Sequence, residues 1–513
     1  MPFELVREYI TLDQEVNAFN TQTSLEEIIK IPDFKPNMRS ILHINGEVDP
    51  SSQIIEGNVL NIEGDVNYKV YYVAEGGYLD CAEVVAPFEY SAELSDLEGD
   101  VECLIKANLE HVDYRITNSR KVNIRSIIQV EGKMIKKSNF PLLADVKEMA
   151  NIQKLQDKIT ITVSALKDME ELSFNESVTM DEKDELSLKV IDSSFVFSEM
   201  KSSKSPSGVL ITGKVNIDTL YSEDTEERKE YKNIHHSVNV SQFIEKYGVE
   251  NIDDFFYAPQ IKSQNIDFAL DPETELLSLN YDFVVSTDIT FYENVEIENI
   301  QDLYSPEVKS NIEKEVIKTY CLTEDFQGDI TISDEITFET EMPVEKILLS
   351  DAQVLVSSSE IADNQLKIDG VLKTCFLLSE IEMIEKVEQE VPFSYSIDIK
   401  SDEQELFDFD IAVDQLESTL RGNSIGVESN IVVKGNFFKK IKLNLVKSVN
   451  EVEEEEAEEI GEFYTIKAHY KQPQESLWEI AKVNSTTVNK LLTDNKLDEE
   501  EQVADYEPLL ILK

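Results

Sequence analysis

The stretch VLNIEGDVNYKVYYV, residues 59–73, decides the fold class, because two variants of it return further along: GVLITGKVNIDTLYS at 208–222 and NQLKIDGVLKTCFLLS at 364–379. In each, apolar and polar residues alternate into a glycine, Gly64, Gly213 or Gly370, and the alternation resumes beyond it. Alternation of period two belongs to a half-buried strand, and a glycine inside it marks a bend or a close backbone approach. The three glycines stand about 150 residues apart, a spacing of whole domains rather than solenoid repeats.

Outward from these strands the blocks continue to agree. VVAPFEYSAEL (84–94) and VEQEVPFSYSIDI (387–399) place Pro87-Phe88 and Pro392-Phe393 at nearly the same distance after their glycines, whereas the middle block has IHHSVNVSQFI (234–244) there and is the most divergent copy. Many short alternating runs separated by turn residues predict a mainly β chain of antiparallel sandwich or barrel-like domains. Helices are expected chiefly at the joints, in DVKEMANIQKLQDKI (145–159) and SPEVKSNIEKEVIKTY (305–320), with a helical turn capped by Ser24. The expected division is three β-domains at 1–148, 149–302 and 303–448, an acidic linker at 449–462 and a small α+β tail at 463–513. The linker's EVEEEEAEEIGE repels itself into extension and is expected to leave the tail mobile.

Composition narrows the function. A net charge of -56 excludes a surface that tracks phosphates, so neither nucleic acid nor an anionic membrane is an expected partner. No basic leader followed by an apolar run opens the sequence and no long apolar span occurs, which predicts a cytosolic protein without membrane insertion. Cys81, Cys103, Cys321 and Cys375 are scattered without a CxxC and are expected as reduced, structural thiols rather than disulfides or zinc ligands. Arg115, Arg120, Lys121, Arg125, Lys133, Lys136 and Lys137 form one basic cluster, suited to an acidic neighbour such as another domain of the same chain.

Chemistry is sparse. The sequence holds no GxxxxGK[ST], GxSxG or HExxH, and His43, His111, His235, His236 and His469 have no partner at ligand spacing along the chain. Adjacent His235 and His236 on a strand face opposite ways and cannot readily share a metal. No catalytic residue, cofactor or metal is expected, and the chain reads as a non-enzyme.

The tail reads as strand, helix, helix, strand, with Leu477, Ile480 and Ala481 on one helical face behind Ser476, a second stripe at Val488, Leu491 and Leu492, and a last strand after Pro508. Trp478, the sole tryptophan, sits one residue off the first stripe with Lys482 a turn further on the same side, which predicts a partly exposed aromatic anchor for a protein partner. The candidate partner-binding set is Trp478 and Lys482 with Leu477, Ile466 and Leu492; Ile466, on the strand face of Tyr464, is expected in the core.

YTIK, SLWEIAK, TTVNKLL and DNKL in this tail resemble the LysM domain. Typical LysM domains bind N-acetylglucosamine-containing glycans, but Gln474-Glu475-Ser476-Leu477 and Tyr506-Glu507-Pro508 stand where the family carries Gly-Asp and Pro-Gly, removing small residues and turn geometry that a glycan loop would use. IIKIPDFKPNMRSILHINGEV, VLNIEGDVNYKVYYV and YRITNSRKVNIRSIIQVEGKM in the first block, with MPVEKILLSDAQVLV and QLKIDGVLKTCFLLS in the third, resemble SPOCS-repeat proteins. Three such blocks, an acidic linker and a terminal LysM-like tail are similar to the SipL-like spore-coat morphogenetic proteins of spore-forming bacteria. That resemblance implies an adaptor in the mother-cell cytoplasm, recruited to the forespore surface, whose tail holds the coat-scaffold ATPase of stage IV sporulation and whose β-domains meet other coat proteins. The alternatives are a peptidoglycan or chitin-type glycan binder, which requires the tail to retain such a glycan, and a glycan-cleaving enzyme, which requires a deep pocket with paired carboxylates.

Overall fold

The computed structural model describes residues 3–94, 101–180, 188–225, 229–246, 252–270, 276–339, 343–380, 383–400, 406–452, 466–497 and 503–512. The strands of the first unit are β1 (Glu4–Lys30), β2 (Met38–Glu56), β3 (Val59–Ala74), β4 (Leu79–Glu93), β5 (Val101–Asn118) and β6 (Lys121–Lys147). The second unit holds β7 (Gln153–Thr179), β8 (Leu188–Ser205), β9 (Gly208–Asp224), β10 (Lys229–Glu245), β11 (Asp254–Leu270) and β12 (Leu277–Tyr304). The third holds β13 (Ser310–Thr337), β14 (Val344–Ala362), β15 (Gln365–Glu380), β16 (Ile384–Asp398), β17 (Leu406–Arg421) and β18 (Ser424–Glu451). Each unit pairs its strands into two three-stranded antiparallel sheets of the same order, β1-β6-β5 with β2-β3-β4, β11-β12-β7 with β10-β9-β8, and β13-β18-β17 with β14-β15-β16. Among the described residues no sheet closes into a barrel.

Within each unit the two sheets face each other across an apolar core, with a second buried cluster in each of the second and third units. Val66, Tyr68 and Val70 of β3 meet Ile124, Ile128 and Val130 of β6 in the first; Val215 and Ile217 meet Tyr281 and Phe283 in the second; Ile368 and Leu372 meet Ile431 and Val433 in the third. These are the inward-facing alternates of central strands, so the pattern seen in residues 59–73 is the pattern of a sandwich interior.

The three repeat glycines all lie in central strands, opposite a register shift on the neighbouring strand: Pro50/Ser52 for Gly64, Ser198/Lys201 for Gly213 and Val356/Ser358 for Gly370. Gly64 faces Phe88 and Gly370 faces Phe393, whereas Gly213 faces Val240, which accounts for the middle block's departure at that position. A Cβ on Gly64 would lie 2.2 Å from the Asp49 carbonyl oxygen, and one on Gly370 2.6 Å from that of Leu355; on Gly213 the nearest atom is the flexible Met200 Sδ. Gly64→Ala and Gly370→Ala should therefore each lower stability by about 1–3 kcal/mol, with Gly213→Ala costing less, read as shifts in urea midpoint. Equal midpoints for all three would show that the bulges yield.

The longest strands, β1 with β6, β7 with β12 and β13 with β18, run past their sandwiches. Each pair carries a bulge where it leaves, at Glu15/Asn17, Phe291/Tyr292 and Leu322/Glu324. Bulges bend a ribbon, and the three ribbons converge. Leu12 and Leu142, Ile161 and Ile297, and Ile317 with Leu443 and Leu445 form one cluster drawn from all three units. A second three-way cluster joins Tyr71, Leu79 and Cys81 to Ile191, Leu220 and Tyr231 and to Leu348, Leu349 and Leu377. The units thus pack around an approximate three-fold axis.

The joints differ from the sequence expectation. Residues 145–159 run from the end of β6 through a short turn into β7, residues 305–320 from a short connection into β13, and Ser24 lies within β1. Glu148 and Asn151 take left-handed φ of 65° and 48°, which no helix accommodates. Past the bulge at Glu313/Lys314, burial alternates from Val316 to Thr319 and brings Ile317 into the three-way cluster. Charged residues at helical spacing are overruled by the long antiparallel partner that each segment meets.

The tail comprises β19 (Ile466–Tyr470), α1 (Leu477–Val483), α2 (Val488–Asn495) and β20 (Pro508–Leu512), with β19 and β20 paired antiparallel. Ser476 caps α1 in a capping box with Glu479, and Thr487 caps α2. Gln474 and Tyr506, standing where LysM sequences carry glycine, adopt left-handed φ of 69° and 66°. The turn geometry expected to be lost is kept, at the strain of a side chain in that region.

Candidate functional site

Among the places where polar side chains meet between units or between the tail and a unit, two are candidate sites. The first is where the tail meets β12. A bulge at Ile300/Asp302 leaves Gln301 out of the ladder and changes the face on which Asp302, opposite Leu155, stands. Its Oδ2 accepts from Trp478 Nε1 at 2.9 Å, its two oxygens accept from Lys482 Nζ at 2.7 and 2.8 Å, and Lys314 Nζ lies 3.1 Å away. Trp478 packs edge-on against Tyr304 with centroids 4.8 Å apart, and the Tyr304 hydroxyl donates to the Thr486 carbonyl at 2.8 Å. Burial alone would push the Asp302 carboxyl up, but hydrogen bonds from Lys482, Trp478 and Lys314 outweigh it and hold the group below its ordinary value. Matching bulges at Val6/Arg7 and Glu313/Lys314 set Asp145 and Ser448 where the second unit has Asp302, and Lys147 and Asn450 where it has Tyr304. Only the second unit offers both the carboxylate and the ring.

Trp478 and Lys482 therefore project together, and here they hold the tail to the array. The tail expected to move freely is docked in the described structure; Tyr464 and most of the acidic linker, 453–465, lie outside the described residues. Leu477 is only 2% exposed and serves as core, and Leu492 packs partly against the same cluster. Ile466, expected in the core, is 62% exposed. The β19–β20 register explains it: Lys467 and His469 stand opposite buried Ile511 and Leu509 and take the inner face, where they bond Asn484 Oδ1 at 2.6 Å and Glu475 at 2.9 Å. Ile466, Ala468 and Tyr470 are left on the outer face.

The second place is a cleft of about 60 Å³ between the first and third units. Asp351, Cys375 and Glu388 stand directly opposite one another across β14, β15 and β16. His43 of β2 enters from the first unit, its Nδ1 3.3 Å from Glu388 Oε1 and its Nε2 3.5 Å from Asp351 Oδ2. The second contact has ion-pair distance without hydrogen-bond geometry, so Nε2 is a buried nitrogen with no hydrogen-bond acceptor. Burial opposes a charge on His43, yet Asp351, Cys375 and Glu388 push the imidazole up to about 11. The His43 contact in turn lowers Glu388 to about 2, against the opposing effect of burial. Burial raises the Cys375 thiol, offset in part by His43. Asn45 Nδ2 to Asp351 at 2.7 Å, Gln353 to the Leu109 carbonyl at 3.0 Å and Lys373 Nζ to the Glu110 carbonyl at 3.3 Å complete the seam.

Comparison with known families matches both walls of this cleft, at residues 37–117 and 343–421, to the SPOCS domain of SipL. The chain carries two SPOCS domains of the SipL type. No curated protein and no solved structure matches it. The SPOCS segments correspond to β2–β5 of the first unit and β14–β17 of the third. SPOCS domains of this type mark a sporulation-related protein.

Counting from the SPOCS glycines and their counterpart Gly213 shows what is distinctive about the cleft. The fifth residue on is Lys69, Asp218 or Cys375, and the seventh, Tyr71, Leu220 or Leu377, pairs with His43, Asp192 or Leu349. At the junction of first and second units Lys69 Nζ meets Asp192 at 2.7 Å, and the Tyr71 hydroxyl donates to the same carboxylate at 2.7 Å. At the junction of second and third, Leu220 and Leu349 share the apolar cluster. At the junction of third and first, the same positions hold Cys375 and His43. The fifth position thus gives an ion pair at one junction and a thiol–imidazole pair at another, while Asp218 of the second unit pairs with His235 of its own unit and leaves that junction to the seventh-position Leu220.

Sequence reasoning missed this group. His43 has ligand-type partners, but more than 300 residues away, and spacing along the chain carries no trace of them. The offset common to the three glycines was the available signal. The basic cluster behaves partly as expected: Lys133 reaches Asp408 of the third unit at 3.4 Å, while Arg125 pairs with Glu26 and Arg120 bonds the Pro32 and Lys35 carbonyls within the first. His235 pairs with Asp218 and His236 stacks on Tyr281, so the two face apart.

Proposed function

We propose that this chain is a non-enzymatic spore-coat morphogenetic adaptor that holds the stage IV coat-scaffold ATPase through its LysM-like tail and presents its β-units, the middle one a third and divergent SPOCS domain, to other coat proteins. It would act in the mother-cell cytoplasm at the forespore surface. The two SPOCS segments support the sporulation setting, and no helix among the described residues is long and apolar enough to cross a membrane.

One observation carries the assignment of the tail as the gripping element. The outer face of β19–β20 leaves Ile466 at 62%, Tyr470 at 58% and Leu510 at 45% exposure, while Ala468 pairs with Leu510 between them. An apolar face on a small domain docked at its opposite side is a surface presented to a partner. Ile466→Asp in the full chain should weaken capture of the coat-scaffold ATPase about 10–30-fold, with an unchanged Tm because the residue is not core. Full binding by this variant would remove the outer face from the contact.

A further inference from the structure

We propose that His43, Cys375 and Glu388 bind one divalent transition-metal ion of the zinc type, which fastens the third unit to the first. The donors are an imidazole nitrogen, a thiol sulfur and a carboxylate oxygen, all within 4.8 Å of one another, and Nδ1 is the nitrogen that faces Glu388. Zinc bonds of about 2.0–2.3 Å to these atom types give tetrahedral donor–donor edges of about 3.3–3.7 Å. The Nδ1–Glu388 distance of 3.3 Å already has that length, and the remaining closure is of side-chain size.

The surroundings fit a metal site beyond its ligands. Asp351 lies on the far side of the imidazole, 3.5 Å from Nε2, and is steadied by Asn45 at 2.7 Å. A carboxylate on the second nitrogen is the usual partner of a metal-binding histidine, fixing which nitrogen keeps the proton. The orphaned Nε2 is the group that this shift would satisfy. The cleft of about 60 Å³ has room for a water as fourth ligand. Thiolate with imidazole favours zinc or cobalt over magnesium or calcium, which prefer oxygen alone.

The approximate three-fold symmetry makes the same point. The equivalent junctions are closed by Lys69 with Asp192 and by Leu220 with Leu349, while the third holds a thiol and an imidazole flanked by two carboxylates. A metal cation there would take the place that the Lys69 ammonium occupies one junction away. Coordination displaces the Cys375 thiol proton and the Nδ1 proton to solvent, so no oxidant or other reactant is needed.

The test uses the full chain, stripped with a chelator under reducing conditions and titrated with Co²⁺ at mildly alkaline pH. A thiolate-to-cobalt charge-transfer band should grow to saturation at one equivalent, vanish on adding Zn²⁺ and ignore Mg²⁺. Cys375→Ser should abolish the band. Glu388→Gln, at a side chain 43% exposed and so tolerant of change, and Asp351→Asn should each weaken binding about 10–100-fold. Zn²⁺ should raise the Tm of the parent chain and not that of Cys375→Ser. A folded parent chain with no cobalt band overturns the proposal whatever the variants do, as does a band that survives Cys375→Ser.

Discussion

Asp192→Ala should cost about 3–5 kcal/mol of stability. The Asp192 side chain is 5% exposed and accepts from both Lys69 Nζ and the Tyr71 hydroxyl, each at 2.7 Å, across the junction of first and second units. Its removal leaves a three-quarters enclosed ammonium with the Ser193 carbonyl, 2.9 Å away, in place of a counter-charge, and takes the carboxylate acceptor from the buried Tyr71 hydroxyl. Burial works against the charge on Lys69, and Asp192 is what raises its pKa in spite of it. Replacing both partners with apolar residues is a different experiment. Lys69→Met with Asp192→Leu should recover part of the loss, because a buried ion pair and a well-packed apolar pair are close to equal in net stability, while the Tyr71 hydroxyl stays without its acceptor. The molecule contains a related comparison, since Leu220 and Leu349, at the positions of Tyr71 and Asp192, meet in an apolar cluster at the equivalent junction. Urea midpoints of the two single variants and the double variant measure the coupling. Additive losses would mean that the two units do not meet through these residues.

Asp302→Ala should release the tail. The substitution leaves the Trp478 N–H, Lys482 and Lys314 without their shared acceptor and should cost about 1–3 kcal/mol of docking, a range that allows for the partial exposure of both lysines. Trp478 is the only tryptophan, so its emission reports the event directly. Undocking exchanges the Tyr304 ring and the carboxylate for water, which should shift the emission to the red and raise its quenching by acrylamide. An unchanged spectrum would place the tail elsewhere.

The pH dependence has a definite sign. Hydrogen bonds hold the folded Asp302 carboxyl below its ordinary value of 3.8, so its contribution is complete above that value and is lost as pH falls through the lower, folded one. Docking therefore persists at neutral pH and weakens only in acid. The same variant separates two modes of partner binding. If the partner uses the Trp478–Lys482 edge, Asp302→Ala should strengthen capture by removing the internal competitor; if it uses the Ile466 face, capture should stay the same.

How far the sequence reached is visible in single residues. Gly64, Gly213 and Gly370 gave the repeat, the central strands and the bulges, because a backbone carbonyl within about 3 Å of a position writes itself into the choice of residue there. Leu477, Ile480 and Ala481 gave the buried stripe of α1. Ile466 misled, since a two-residue alternation is equally compatible with either face of an edge strand, and its register with β20 selects the outer one. The segments at 145–159 and 305–320 misled because charged, helix-compatible residues were read without the partner strands that β7 and β13 meet.

The sequence by itself determined the mainly β character, the three-fold repetition and the strand–helix–helix–strand tail, all of which rest on periodicities within a few neighbouring residues. Only the tertiary structure decided that the tail seats on Asp302 and Tyr304, and that His43 meets Cys375 and Glu388. Those contacts join residues more than 170 and 300 positions apart, set by the angle at which bulged ribbons leave their sandwiches and converge. Local propensity fixes which face of a strand is apolar; the summed burial of three units fixes which faces meet.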